Sequence, residues 1–449
     1  MTSTDRRRSR RRLTFCLAAL AMTATLLGVP LSAAADSVTG TIIVGGSPWG
    51  VAFSPDGETA YVAQTGTQSV AVIDVSTETV IETIPVPFNA LSIAASPDGT
   101  KLYAGGNGGG GPSFAVIQTA TWDVSLTYNA GGYPFAISFA PDGSVAYATL
   151  ASESHVEIID TTTDRITSRV FVGSGAFGIA FTPDSATAVI ALGSTTGVAV
   201  FDVASSTLVG TVVVGYGPQY VAVSPDGLTA YASIVTTGEV AVIDIASLTA
   251  THTIPVGSQP MAIAITPDGS KVAVGNSGDG TISIISTATQ SVSTTLTAGS
   301  TPIFAAISSL NVGYLTNLSA GTITVFDFDF APVIAAAVAP DASVGEAYSF
   351  TVSASGTPAP TFSVTGGALP AGLTLDSASG AISGTPSVGA TSTFTVTATN
   401  AAGADAHSFS IAVRAVLPAT GADSGLLLSA AAGLLLLGGA AVRARRPVA

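Results

Sequence analysis

Residues 50–74 read GVAFSPDGETAYVAQTGTQSVAVID. Three short apolar runs are joined first by Ser54-Pro55-Asp56-Gly57 and then by a polar stretch around Gly66. The runs carry the β-branched and small residues that suit strands. Pro55 fits the first central position of a type I turn, Asp56 can bond its own backbone, and Gly57 accepts the left-handed conformation that follows. A fourth run, 79–86 (TVIETIPV), follows a turn at Ser76 and Thr77. Four antiparallel strands in one such unit make a propeller blade.

The unit repeats. Its turns start at Pro55, Pro97, Pro141, Pro183, Pro225 and Pro267, in steps of 42, 44, 42, 42 and 42 residues, with a decayed seventh copy at Ser308-Ser309-Leu310-Asn311. A fixed period of this size means one structural unit used again and again. In the first strands, large residues (Val51, Phe53; Ile137, Phe139; Ile179, Phe181; Val221, Val223; Ile263, Ile265) alternate with small ones (Ala52, Ser138, Ala180, Ala222, Ala264). Large faces packed on small faces let neighbouring blades interlock around a narrow axis. The seventh unit supplies three strands, near 303–308, 312–317 and 322–327, and stops before Pro332. Residues 37–44 (SVTGTIIV) match the fourth-strand pattern of 207–214 (TLVGTVVV), although no blade precedes them. The expected fold over 36–330 is therefore an all-β, seven-bladed propeller closed by its N-terminal strand, which removes open sheet edges.

These residues resemble the YVTN-type propeller repeat of bacterial and archaeal surface proteins. The motif is nearest at Tyr314-Leu315-Thr316-Asn317 and looser at Tyr61-Val62-Ala63-Gln64, with clear Val72-Ile73-Asp74 and Val242-Ile243-Asp244 elements. The resemblance covers about 37–330. It implies the fold and little about function, because propellers host many activities.

The texture changes at Ala331-Pro332. Strand-like runs at 347–352, 361–364, 392–399 and 406–413 suit a small sandwich over 331–414. Pro370-Ala371-Gly372-Leu373-Thr374-Leu375-Asp376 and Gly380-Ala381-Ile382-Ser383-Gly384-Thr385-Pro386 resemble the immunoglobulin-like module common in bacterial surface proteins. It lacks the cysteines and core tryptophan of antibody domains, so only the sandwich class carries over. A spacer role is expected.

Both chain ends read as addresses. Residues 1–35 combine a basic segment (Arg6 to Arg12), an apolar run (13–27) and the small residues Ala33-Ala34-Ala35 before Asp36. This order is that of an export signal cleaved between Ala35 and Asp36; an uncleaved membrane anchor is the alternative. Residues 415–449 hold Leu417-Pro418-Ala419-Thr420-Gly421, then 18 apolar or small residues from Gly425 to Val442, then Arg443, Arg445 and Arg446. As a helix the apolar run is about 27 Å long at 1.5 Å per residue, enough to span a bilayer, and the arginines would hold its end inside. The three elements resemble the cell-wall sorting signal of Gram-positive surface proteins. The resemblance implies a sortase that attacks the Thr420 carbonyl and joins Thr420 to a peptidoglycan amine. The membrane would then be met only through this helix before sorting. A plain transmembrane anchor is the alternative.

Charge excludes one partner class. Only 9% of the 449 residues are charged. Between Asp36 and Thr420 there are 5 basic residues against 26 acidic ones, a net charge of −21. No basic stripe exists to displace counterions from phosphates, so nucleic acid is not expected. The single cysteine, Cys16, sits in the export segment, which leaves the body without disulfides or thiolate metal sites.

Candidates for chemistry are few, and no catalytic group, cofactor or metal site is expected. His155, His252 and His407 do not repeat and have no ligand spacing. Asp56, Asp98, Asp142, Asp184, Asp226 and Asp268 sit in the repeated turns, and Asp74, Asp160, Asp202 and Asp244 end third strands; both sets read as Asx turns rather than Ca²⁺ ligands. The run from Gly105 to Gly111 lacks the Lys-Ser/Thr of a phosphate loop and reads as a flexible loop.

Ligand contacts are expected where one blade's outer strand crosses to the next inner strand. The matching positions, six before each turn, are Trp49, Leu91, Phe135, Phe177, Gln219, Met261 and Ile303, with Tyr133, Tyr216 and Tyr220 nearby. Trp49, Tyr133, Phe135, Phe177, Tyr216 and Tyr220 are the ligand-binding candidates. Their rings could stack on a sugar or grip a peptide at the channel mouth; blade-to-blade packing is the competing use. The expected function is non-catalytic recognition or adhesion of an unknown glycan or protein ligand by a secreted, wall-anchored protein. Alternatives are an extracytoplasmic propeller enzyme, lactonase- or dehydrogenase-like, and a purely structural envelope component.

Overall fold

A computed structural model describes residues 36–111, 113–400 and 402–415. The expected export signal with Ala35, the expected sorting motif Leu417-Pro418-Ala419-Thr420-Gly421 and the apolar run after it lie outside the described residues. Among the described residues, no helix is long and apolar enough to cross a membrane.

The first repeat unit forms four antiparallel strands in chain order, Pro48–Phe53, Thr59–Gln64, Ser69–Asp74 and Thr79–Pro85 (sheet I). Its turn is tied by the residues that predict it. Ser54 Oγ donates to Asp56 Oδ1 (2.5 Å), Glu58 N donates to the same oxygen (3.0 Å), and Gly57 N donates to Ser54 O (2.9 Å). Gly57 has a φ of +77°, where a side chain would be strained. Asp98, Asp184, Asp226 and Asp268 repeat this geometry. The third-strand aspartates accept from backbone N–H groups two or three residues on, as Asp74 does from Thr77 (2.9 Å) and Asp244 from Ser247 (2.7 Å). Hydrogen bonds hold these carboxyls below the usual carboxylate range. The decayed seventh turn uses a hydroxyl instead: Ser308 Oγ accepts from Leu310 N (3.2 Å) and Val312 N (3.1 Å).

Five more sheets follow the same order: 89–128 (II), 134–171 (III), 176–213 (IV), 218–255 (V) and 260–297 (VI). Sheet VII takes Pro302–Ile307, Val312–Asn317 and Thr322–Asp327 from one end of the repeat region and Ser37–Ile43 from the other. Ser37–Ile43 runs antiparallel to Thr322–Asp327, from Ser37 opposite Asp327 to Ile43 opposite Thr322. The inner strand of each sheet lies beside the inner strand of the next, and that of sheet VII lies beside that of sheet I.

Alternate residues of each strand serve two different cores, as strand geometry requires. Val51, Ala60, Val62, Ala71 and Ile73 pack toward sheet VII with Tyr314, Ile323 and Val325. Tyr61, Ala63, Val70 and Val72 pack toward sheet II with Ile93, Leu102 and Ala104. Ser and Thr hydroxyls near the top of the second strands also reach the next sheet's inner strand. Thr149 Oγ1 donates to Phe177 O (2.5 Å), Ser233 Oγ to Met261 O (3.3 Å), and Thr316 Oγ1 to Trp49 O (2.7 Å).

Part of the glycine run is strand rather than loop. Gly105 and Gly106 lie within Lys101–Asn107, and only 108–111 form a turn. A Cβ on Gly106 would sit 2.0 Å from Asn89 O, and one on Gly105 would sit 2.5 Å from Pro134 Cβ. Those glycines let the second strand of sheet II close up on the inner strands of sheets II and III, which a loop reading misses.

Residues 330–414 form a separate sandwich. One sheet orders Ala342–Ser343, Gly403–Arg414, Thr391–Asn400 and Thr361–Gly367; another orders Tyr348–Thr351, Ala381–Gly384 and Leu373–Leu375. Phe394, Val396, Ile411, Ile382 and Val352 fill its core. Asn400 Nδ2 donates to Phe330 O (2.7 Å), tying the strand that leaves the repeats into the module.

Candidate ligand-binding face

The crossovers from outer to inner strands, and the loops between second and third strands, share one face of the repeat domain. The predicted aromatic residues occupy it unequally. Trp49, Phe135, Phe177 and Tyr220 converge: ring centroids are 6.1 Å apart for Trp49–Phe135, 4.7 Å for Phe135–Phe177 and 5.9 Å for Phe135–Tyr220. Phe304 extends the cluster, 5.1 Å from Tyr220. Rings from sheets I, III, IV, V and VII therefore meet across the axis.

Phe304 was not legible from the spacing, which selects Ile303. Ile303 is buried, and the inner strand of sheet VII shifts register between Pro302 and Phe304. The same position is Gly50 in sheet I and Gly178 in sheet IV, where a Cβ would lie 2.8 Å from Leu91 O and 2.6 Å from Tyr220 Cα. Tyr220 and Phe304 alone place large side chains there, and so fill the centre. Tyr220 is buried, which pushes its hydroxyl pKa up, with the neighbouring Trp49 pulling the other way.

Tyr133 and Tyr216 stand apart from this cluster, 47% and 57% exposed on their crossovers. Tyr133 lines a cleft of about 410 Å³ between sheets II and III, facing Gly108–Gly111. A second cleft, about 710 Å³, lies between sheets V and VI along 235–239 and 255–259. The six candidates thus divide into a central plug and two exposed rings.

Polar groups missed by motif reading concentrate at the junction of sheets II and III. Lys101 pairs with Asp164 (2.7 Å), and Asp164 also accepts from Tyr103 Oη. Arg169 Nη2 donates to Glu157 Oε1 (3.0 Å) and to Ala130 O on the crossover (3.1 Å). Burial pushes the Glu157 carboxyl up to about 7, with Arg169 pulling the other way. The available signal was the rarity of basic residues: Lys101, Arg165 and Arg169 are three of five in the body. The histidines stay apart: His155 packs on Phe171 (5.6 Å), His407 on Phe409 (4.9 Å), and His252 is exposed on an outer strand.

Comparison with solved structures matches this architecture to β-propellers. Hydrazine synthase of Kuenenia stuttgartiensis is similar at 19% identity and a TM-score of 0.56, over 62% of this chain and 95% of that one. The Cps50 (Swd1) β-propeller domain of Myceliophteria thermophila is similar at 13% identity and a TM-score of 0.56, over 65% and 99%. At these identities the likeness shows the fold alone. Residues 331–414 match the family model described as "Putative Ig domain". No curated protein matches the chain. The molecule is an all-β chain with a propeller-like repeat domain followed by an Ig-like module.

Proposed function

We propose that this is an exported, wall-anchored surface protein whose seven-bladed propeller, closed by its N-terminal strand, recognises an extracellular ligand without catalysis. The observation that carries the reading is the split on the crossover face. The channel axis is filled by packed rings, while Tyr133 and Tyr216 remain exposed around it. A filled axis favours contact at the rim over chemistry within the channel. Closure is supported by Thr316, whose hydroxyl meets sheet I as Thr149 meets sheet IV. Anchoring rests on the sorting-signal resemblance at Leu417 to Gly421, and sortase and peptidoglycan are the proposed covalent partners through Thr420. The sandwich is the spacer between propeller and wall.

The test is a screen of the protein against glycans, peptidoglycan fragments and matrix proteins, with Tyr133→Ala/Tyr216→Ala beside it. Both side chains are exposed, so the variant should keep its melting temperature. A ligand lost in the variant supports recognition at this face. Failure to bind any probe overturns it. For anchoring, Thr420→Ala should move the protein from the wall fraction to the membrane or medium, and unchanged wall retention would refute sorting.

A further inference from the structure

We propose that the cleft between sheets II and III binds an uncharged saccharide, with Tyr133 as its stacking platform. The inference rests on the recognition reading above and gives it a position and a ligand class. Three elements meet in the cleft: the glycine turn of sheet II, the crossover carrying Asn129 and Tyr133, and the loop of sheet III carrying Ser152 and Glu153. Its volume, about 410 Å³, lies within the range of small-ligand sites, roughly 300–1,000 Å³.

Each wall contributes something different. A Cβ on Gly109 or Gly110 would meet nothing within 4 Å, so this wall is open backbone with room before it. Tyr133 shows 47% of its surface and takes no part in the aromatic plug, which leaves a ring available for stacking. Glu153 brings the one charged side chain among the lining residues, flanked by the Ser152 hydroxyl and the Asn129 carboxamide.

The platform is held from behind. Asn129 Oδ1 accepts from Gly131 N (2.7 Å), Ser113 Oγ accepts from Ala130 N (3.0 Å), and Arg169 clamps Ala130 O to the buried Glu157. A crossover backbone fixed before the ligand arrives loses less entropy on binding. The chemistry selects the class. A lone carboxylate with no cation lining the cleft repels anions. Carboxylate, hydroxyl and amide beside an aromatic face suit a ligand with many hydroxyl donors and a flat C–H face, better than one with several fixed positive charges.

The experiment titrates the full chain with cellohexaose, maltohexaose and chitohexaose, and separately with tetralysine, read by calorimetry and ligand-observed NMR. One of the oligosaccharides should bind. Tyr133→Ala should weaken it at least about 10-fold, equivalent to about 1.4 kcal/mol. Tyr133→Phe should restore binding, and Glu153→Gln should weaken it several-fold. Thermal melting confirms that each variant folds. Binding that ignores Tyr133→Ala, or binding of tetralysine alone, overturns the proposal. If no oligosaccharide binds but another ligand is lost in Tyr216→Ala, the cleft inference fails and the recognition reading stands. If neither this panel nor the wider screen yields a ligand, both fail.

Discussion

Sheets II and III meet through different chemistry from sheets IV and V, although both junctions are built from the same repeat. Between IV and V the contact is aliphatic: Val189, Ala191, Val198, Val200, Ala232 and Ile243 are all buried, with no ion pair across it among the described residues. Between II and III the contact is aromatic and partly charged. Tyr103 packs on Phe114 (5.1 Å) and Phe139 (4.5 Å), Phe114 stacks on Tyr128 (4.8 Å), and Lys101–Asp164 bridges the sheets. One blade geometry thus tolerates two interiors. Larger rings leave room for polar groups at both ends of the junction, and clefts open there on both faces, along Tyr133 on one and along Asp98 and Asp142 on the other.

Removing a large ring should mark the difference most strongly. Phe114 is fully buried, so Phe114→Ala should cost about 3–5 kcal/mol in urea unfolding. Arg169→Ala should cost up to about 3 kcal/mol at pH 9, where it strands the Glu157 carboxylate, a ceiling lowered because Arg169 is about a third exposed. At pH 5 the cost should shrink, because Glu157 then holds a proton; equal losses at both pH values would break the argument. Val198→Ala, at the aliphatic junction, should cost about 2 kcal/mol with no pH dependence over that range.

Glu157→Gln sharpens the contrast. The folded carboxyl titrates near 7 against a reference value of 4.5. Between those values the folded chain keeps a proton that the unfolded chain has released. Stability from this group therefore falls as pH rises from about 4.5 to 7, then levels off. The Gln variant should lose that slope and match or exceed the parent at pH 8; an unchanged slope in the unfolding free energy would reject the assignment. The smallest effect belongs to the turns. Asp98→Ala removes bonds from Ser96 Oγ and Thr100 N at an exposed site and should cost about 0.5–1.5 kcal/mol. A chelator should leave the melting temperature of the parent unchanged.

Much of this fold was legible because the repeat is local. The Ser54 and Asp56 side chains bond only within residues 54–59, and the Asp74 carboxyl only to Ser76 and Thr77, so these stretches already contain their own turn geometry. The missing fourth strand of the last unit could be read from the likeness of 37–44 to 207–214, and that strand pairs in sheet VII. The aromatic candidates were legible as a set but not as a site. Spacing puts Trp49, Tyr133, Phe135 and Tyr220 where the chain enters sheets I, III and V. It does not say that Tyr220 reaches Phe135 and Phe304 across the axis while Tyr133 turns into a side cleft.

The sequence by itself determined the repeat, the strand order within each unit, the turn chemistry and the sandwich that follows, because each depends on residues close together in the chain. Only the tertiary structure decided that the axis is filled, that Phe304 rather than Ile303 fills it, and that Arg169 ties Glu157 to the crossover bearing Tyr133. Those outcomes depend on side chains tens to hundreds of residues apart meeting in one small space, where a register shift or a missing Cβ decides which of them fits.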